Sequence, residues 1–225
     1  AAMETGLFRL HLHDDGRVHC TLWQAVDFPL PAMRFNDGRT DRQGRFWVSS
    51  MVRDMAAANP AGALYRADAQ GLAPSGIDGL RTGNGLGFSP DGRVMYLSDS
   101  HPTVRQVWAF DFGDDGVPRR RRPFIDMQQH PGRPDGAAVD AEGGYWICGN
   151  DAGLVHRFTP DGRLDRSLPV PVRKPAMCAF GGAGLDTLFV TSIRPGGDLS
   201  DQPLAGGVFA LRPGVRGLDE PACLS

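Results

Sequence analysis

Three short stretches of the chain set an amide or a carboxylate directly before a glycine: "RFNDG" (34–38), "TGNGLG" (82–87) and "RPDGAA" (133–138). Asn36, Asn84 and Asp135 carry hard oxygen donors. With no paired His or Cys nearby, they suit Ca²⁺, Mg²⁺ or Mn²⁺ better than a structural zinc site. Taken one at a time, an Asn or Asp in such a place is ordinary turn chemistry. Their recurrence asks for more, because they lie 48 and 51 residues apart and each precedes a D/S-x-x-G hairpin and an aromatic strand. Arg34, two residues before Asn36, would share its face of an extended strand and could grip an oxygen-rich substrate. Asp37 and Asp41 flank a turn and read as acceptors for backbone donors.

The elements that must position these residues repeat. Alternating strands close on turns at Gly16, Gly71, Gly116, Gly162 and Gly214, and a second family of hairpins turns at Gly44, Gly92, Gly143 and Gly184. Apolar residues alternate, as in "LFRLHLH" and "VHRF", and do not recur at three and four, so strands are predicted and helices are not. Each unit reads as four strands over about 45 residues, the length of a propeller blade. The blades fall at about 36–80, 84–127, 135–170 and 175–219, with 6–23 as the last two strands of an earlier one, all in a single domain over 1–225. In a propeller the first strand of every blade lines the central channel. Asn36, Asn84 and Asp135 each begin such a strand, so distance in sequence becomes proximity across the axis. The fourth blade begins "KPAMCAF" instead, so the feature is not needed for a blade to fold.

Composition narrows the function. Apolar residues at 41%, charged residues at 22% and a net charge of −2 describe a globular protein with no general attraction to nucleic acid or an anionic membrane. The basic run Arg119–Arg122 has no interleaved aromatics and reads as a solvated edge strand. No run approaches a membrane span, and the start lacks the basic and apolar regions of a signal peptide. Cys20, Cys148, Cys178 and Cys223 form no CxxC pair, which points to a reducing cytoplasm. His11 and His13 share a strand face in the outer half of a blade, and His130 reads as a loop residue near Asp135. Trp47, Trp108 and Trp146 are expected in the core between blades. No Gly-x-Ser-x-Gly elbow, P-loop or dinucleotide fingerprint occurs.

"RFNDGRTDRQGRFWVSSM", "NGLGFSPDGRVMYLSDS", "PDGAAVDAEGGYW" and "CAFGGAGLDTLFVTS", in this order and spacing, resemble the SMP-30/gluconolactonase/LRE family. The resemblance covers nearly the whole chain. It implies an all-β, six-bladed β-propeller with one divalent cation in the channel, calcium first with zinc, manganese or magnesium as alternatives. The implied activity is opening of sugar lactones. By the same resemblance Asn84 and Asp135 match metal ligands, with Asp135 also an acid/base. Arg34 and Asn36 match substrate-binding positions, and Asp54 falls where the family often has an acidic substrate contact. The segment 52–62, "VRDMAAANPAG", is the expected lid.

One departure stands out. The family's remaining metal ligand is a Glu in a "GEGP"-like motif, and no such motif occurs in this sequence. Four and a half blades against six leave on the order of 70 residues unaccounted for at ~45 per blade, so an N-terminal blade and a half is expected to be absent from this chain. Two rivals follow: hydrolysis of phosphoesters such as organophosphates at the same site, or a non-catalytic calcium-binding propeller. No partner besides a small-molecule lactone is implied, and the oligomeric state is left open.

Overall fold

A polar side chain at the start of the turn organises the inner hairpin in three blades. Asp41 accepts the backbone N–H of Gln43 and Arg45, the Arg45 Nε (2.6 Å) and the Trp47 indole N–H (2.8 Å). Asp140 does the same for Glu142, Gly144, Trp146 and Arg157. In the intervening hairpin the hydroxyl of Ser89 takes the N–H groups of Arg93 and Val94. Gly44, Gly92 and Gly143 turn these hairpins at φ of 85°, 67° and 82°, a region closed to most side chains. The recurring D/S-x-x-G is thus a node joining turn, strand and, in two blades, core tryptophan.

The computed structural model describes residues 1–223. Its strands form five antiparallel sheets in chain order. The first pairs β1 (Gly6–Leu12) with β2 (Val18–Ala25). The second runs β3 (Met33–Thr40), β4 (Phe46–Val52), β5 (Leu64–Asp68) and β6 (Gly71–Pro74). The third comprises β7 (Gly83–Phe88), β8 (Val94–Asp99), β9 (Gln106–Asp111) and β10 (Arg119–Asp126). The fourth comprises β11 (Arg133–Val139), β12 (Tyr145–Asn150), β13 (Leu154–Phe158) and β14 (Leu164–Pro169). The last holds β15 (Pro175–Gly181), β16 (Thr187–Ser192) and β17 (Val208–Leu211). Among the described residues helix is confined to two 3-10 turns, Met55–Ala57 and Met127–Gln129, and no helix is long and apolar enough to cross a membrane. The arrangement is an all-β propeller.

Successive blades pack face to face. Trp47, Leu64, Phe88, Leu97 and Phe110 fill the gap between the second and third sheets. Tyr96, Val107, Val139, Tyr145 and Phe158 fill the next, and Trp146, Cys148, Cys178, Leu188 and Val190 the one after. Burial of this apolar area is what holds one blade against its neighbour. Two details differ from the reading of the sequence. The last sheet has three strands where four were expected, because nothing after Leu211 among the described residues continues it. Trp108 is only partly buried against its core, and Arg121 of the outer strand lies over its ring at 3.7 Å. Apolar side chains stay open on the two end sheets, Leu10, Leu12 and Val18 at one end and Phe189 and Val208 at the other.

One offset is common to three blades. Asn36, Asn84 and Asp135 each stand five residues before the turn node, Asp41, Ser89 and Asp140. Donor residues therefore gather at one end of the inner strands and the hairpin nodes at the other.

Candidate functional site

The inner strands β3, β7 and β11 each break register with their partner where the donor residue sits. The shifts fall between Phe35 and Gly38, Asn84 and Gly87, and Pro134 and Ala137. Irregularities of this kind release backbone groups from the ladder and re-aim side chains. The released groups find partners on neighbouring blades. Asn36 Nδ2 and Ser49 Oγ donate to the Gly83 carbonyl, at 2.9 and 2.7 Å. Tyr145 donates its hydroxyl to the Gly85 carbonyl at 2.7 Å. Gly85 stands at φ 61°, and a Cβ there would lie 2.6 Å from the Tyr145 oxygen, so only glycine fits.

These contacts orient the donors. Asn36 is tied to the residue preceding Asn84, and Asn84, itself buried, donates from Nδ2 to Ser100 Oγ at 3.1 Å. Among the described residues neither amide oxygen receives a protein donor. Asp135 accepts from Asn150 Nδ2 at 2.7 Å, and the same amide reaches the Pro175 carbonyl on the following blade. Asp37 is buried and accepts the Leu86 N–H, in keeping with its reading as a backbone acceptor. Asn150 and Ser100 were not legible as site residues. Their partners lie on other strands, so no local motif announces them.

Charge is balanced closely here. Burial pushes the Asp135 carboxyl up to about 7, the Asn150 hydrogen bond works against the rise, Asp37 adds to it, and Arg133 opposes it. Arg34 donates from Nη1 to the Phe35 carbonyl at 2.8 Å. Burial holds its pKa below the usual value, Arg53 lowers it further, and Glu4 and Asp135 raise it. Asp135 on β11 is thus the smallest of the charges acting on Arg34 of β3.

Asp54 stands on no inner strand. Exposed on the 52–62 segment, it accepts the Ala56 N–H at 3.0 Å and so caps the 3-10 turn. That segment is anchored from the third sheet. Thr103 N–H donates to His101 Nδ1 at 3.2 Å, so Nε2 carries the proton and donates to the Met55 carbonyl at 3.0 Å.

No group of three or more His, Cys, Asp or Glu gathers to hold a metal among the described residues. The donors on the three inner strands are instead two amide oxygens without protein partners and one desolvated carboxylate. Such a set fits a hard divalent cation and lacks the nitrogen and sulfur donors that zinc prefers. It also carries a stability consequence. The folded pKa of Asp135 lies above the ordinary 3.8, so the folded state holds its proton more tightly, and stability falls as pH rises from about 4 to about 7. In chelator, Asp135→Asn is expected to match wild type in urea unfolding near pH 4. By about pH 8 it should be more stable by about 2 kcal/mol, a figure discounted for solvent at the site. An equal difference at both pH values would sink this account.

The other polar candidates resolve as structure. His11 on β1 and His13 just beyond its end are exposed, and His130 packs edge-on against Phe158 at 5.0 Å. Arg120 and Arg122 on β10 pair with Asp111, and Arg119 with Asp115. Cys148 and Cys178 are buried, and all four cysteines are free.

Comparison with known proteins follows the same lines. A family model described as SMP-30/Gluconolactonase/LRE-like region matches residues 1–194. The chain is 40% identical over 192 residues to a 6-deoxy-6-sulfogluconolactonase of Pseudomonas putida, covering 84% of this chain and 65% of that protein. It is 37% identical over 198 residues to an L-arabinolactonase of Azospirillum brasilense, covering 83% of this chain and 62% of that protein. The chain thus spans less than two thirds of either relative's length. Among solved structures, a calcium-binding protein, regucalcin, from Agrobacterium tumefaciens superposes with a TM-score of 0.86 at 30% identity, over 98% of this chain and 74% of that one.

Proposed function

The chain belongs to the SMP-30/gluconolactonase/LRE-like family, and from that membership and the site's geometry we propose that it is a divalent-cation-dependent lactonase acting on sugar lactones. The observation that carries this reading is the trio of neighbouring bulges. Each falls at or beside a residue with a hard oxygen donor on one of three consecutive inner strands, in a chain similar to two lactonases. The proposed ring has six blades, with the four described here and the β1–β2 sheet completed by elements outside these residues. The open apolar faces of the end sheets support that count.

Asn84 and Asp135 would hold the cation, calcium by analogy with the regucalcin structure. When bound, it supplies Lewis acidity toward the lactone carbonyl. The chain's own residues do the rest. Hydrolysis joins a water oxygen to the carbonyl carbon, breaks the ring C–O bond and leaves a hydroxy acid. The water loses a proton and the ring oxygen gains one. Asp135 would take the first and return the second. Arg34 and Asn36 orient the sugar hydroxyls, Arg34 as a donor fork and Asn36 through the amide oxygen its Gly83 bond leaves free. Asp54 meets the substrate from the anchored 52–62 segment.

A pH-indicator assay on a panel of aldonolactones and a phosphotriester, with and without chelator, tests the reading. Chelator-sensitive opening of lactones supports it. Turnover of the phosphotriester alone favours an esterase of that class. Calcium binding without turnover of either makes the protein a binder. Within the lactonase reading, Arg34→Ala is expected to raise KM about tenfold with calcium affinity almost unchanged. An equal loss of calcium binding would make Arg34 a support of the fold.

A further inference from the structure

The peptide unit of Leu86 is held on both sides by one neighbouring strand. Asp37 accepts its N–H at 3.0 Å, and Arg39 Nε donates to its carbonyl at 3.0 Å. These two residues alternate along β3 and so share a face. The Arg39 guanidinium continues from Nη2 to the Ala137 carbonyl on β11, and its Nη1 meets Glu220. Leu86 and Ala137 each stand two residues beyond a donor, Asn84 and Asp135, at the registers where β7 and β11 bulge. One side chain therefore ties three consecutive inner strands together, at the level just past the donors. Tyr145 adds a further grip on the Gly85 carbonyl. Asp37 is buried, and burial raises its pKa, with the Leu86 N–H first and then the Arg39 charge opposing the rise. A planar fork can serve two carbonyls in fixed directions, whereas a lysine ammonium is a compact point donor.

We propose that Asp37 and Arg39 are positioning residues, an inter-blade clamp that sets the spacing of Asn84 and Asp135. Through that spacing the clamp governs cation affinity and turnover, and this functional part rests on the lactonase reading. The clamp itself is a statement about the backbone of β7 and β11.

Hydrogen exchange, calcium calorimetry and glucono-δ-lactone kinetics on Arg39→Ala, Arg39→Lys and Glu220→Gln test it. Both Arg39 variants should lose amide protection about tenfold or more in β7 and β11, while β13 and β14 keep theirs. Calcium affinity should fall about tenfold, and kcat about 30- to 100-fold with KM within about threefold, as expected when reacting groups shift by a fraction of an ångström. Glu220→Gln, which removes only the outer ion pair, should match wild type. Uniform loss of protection across all sheets, or none in β7 and β11, overturns the clamp. So does an Arg39→Lys protein with wild-type protection and kcat, since a point donor would then suffice. Should wild type neither bind calcium nor open the lactone, the function fails and the exchange result alone decides the clamp.

Discussion

Asp135→Asn is expected to cut lactone turnover by about 10²- to 10³-fold at saturating calcium, with KM within about threefold. The substitution keeps the shape and an oxygen that can still accept from Asn150 Nδ2. It removes the negative charge and the site that takes a proton. A residue that only ligates would behave differently, because excess calcium would then restore most of the rate. A residue that only starts a turn would show neither defect, since Asn serves turns as well as Asp. A carboxylate engaged by a cation is a weaker base, so the size of the loss at saturating calcium measures how far Asp135 acts on the proton and how far it merely holds the water. Full turnover in Asp135→Asn at trace calcium would remove Asp135 from the chemistry.

The largest stability effect belongs to a residue at the other end of the same strand. Asp140→Ala is expected to lower unfolding free energy by about 3–5 kcal/mol. Asp140 is fully buried, and its loss strips acceptors from the Trp146 indole, two backbone N–H groups and the buried Arg157. Arg157 keeps Glu142 and Asp165, which places the cost towards the lower figure. Asp140→Asn, with an acceptor oxygen retained, should cost about half as much. Urea unfolding monitored by Trp146 fluorescence reads both. A loss below about 1 kcal/mol for Asp140→Ala would mean that water replaces the carboxylate at the node.

Much of this was legible before any coordinates. The D/S-x-x-G turns and alternating strands gave the sheets, and the spacing of Asn36, Asn84 and Asp135 marked one position in three blades. Asp41 was readable as a backbone acceptor because its partners are local. That it also holds Trp47 was not, since the indole comes from the far side of the hairpin. Arg39 carried no local signal, because its partners lie 47 and 98 residues away. Asn150 reaches Asp135 only because β11 and β12 pair Arg133 with Asn150, a register that composition cannot specify. Asp54 was legible only through family position, and the structure adds that it accepts a backbone N–H of its own turn.

The shared offset of five residues between donor and hairpin node has a practical consequence for redesign. Five residues of extended strand span about 17 Å, beyond the range at which substitutions usually perturb one another. Changes that retune substrate choice around Asn36, Asn84 and Asp135 should therefore combine additively with changes at Asp41, Ser89 and Asp140. A library varying the donor end can then be screened on a scaffold first stabilised at the node end. A double-mutant cycle between Asn84 and Asp140 should show coupling below about 0.5 kcal/mol.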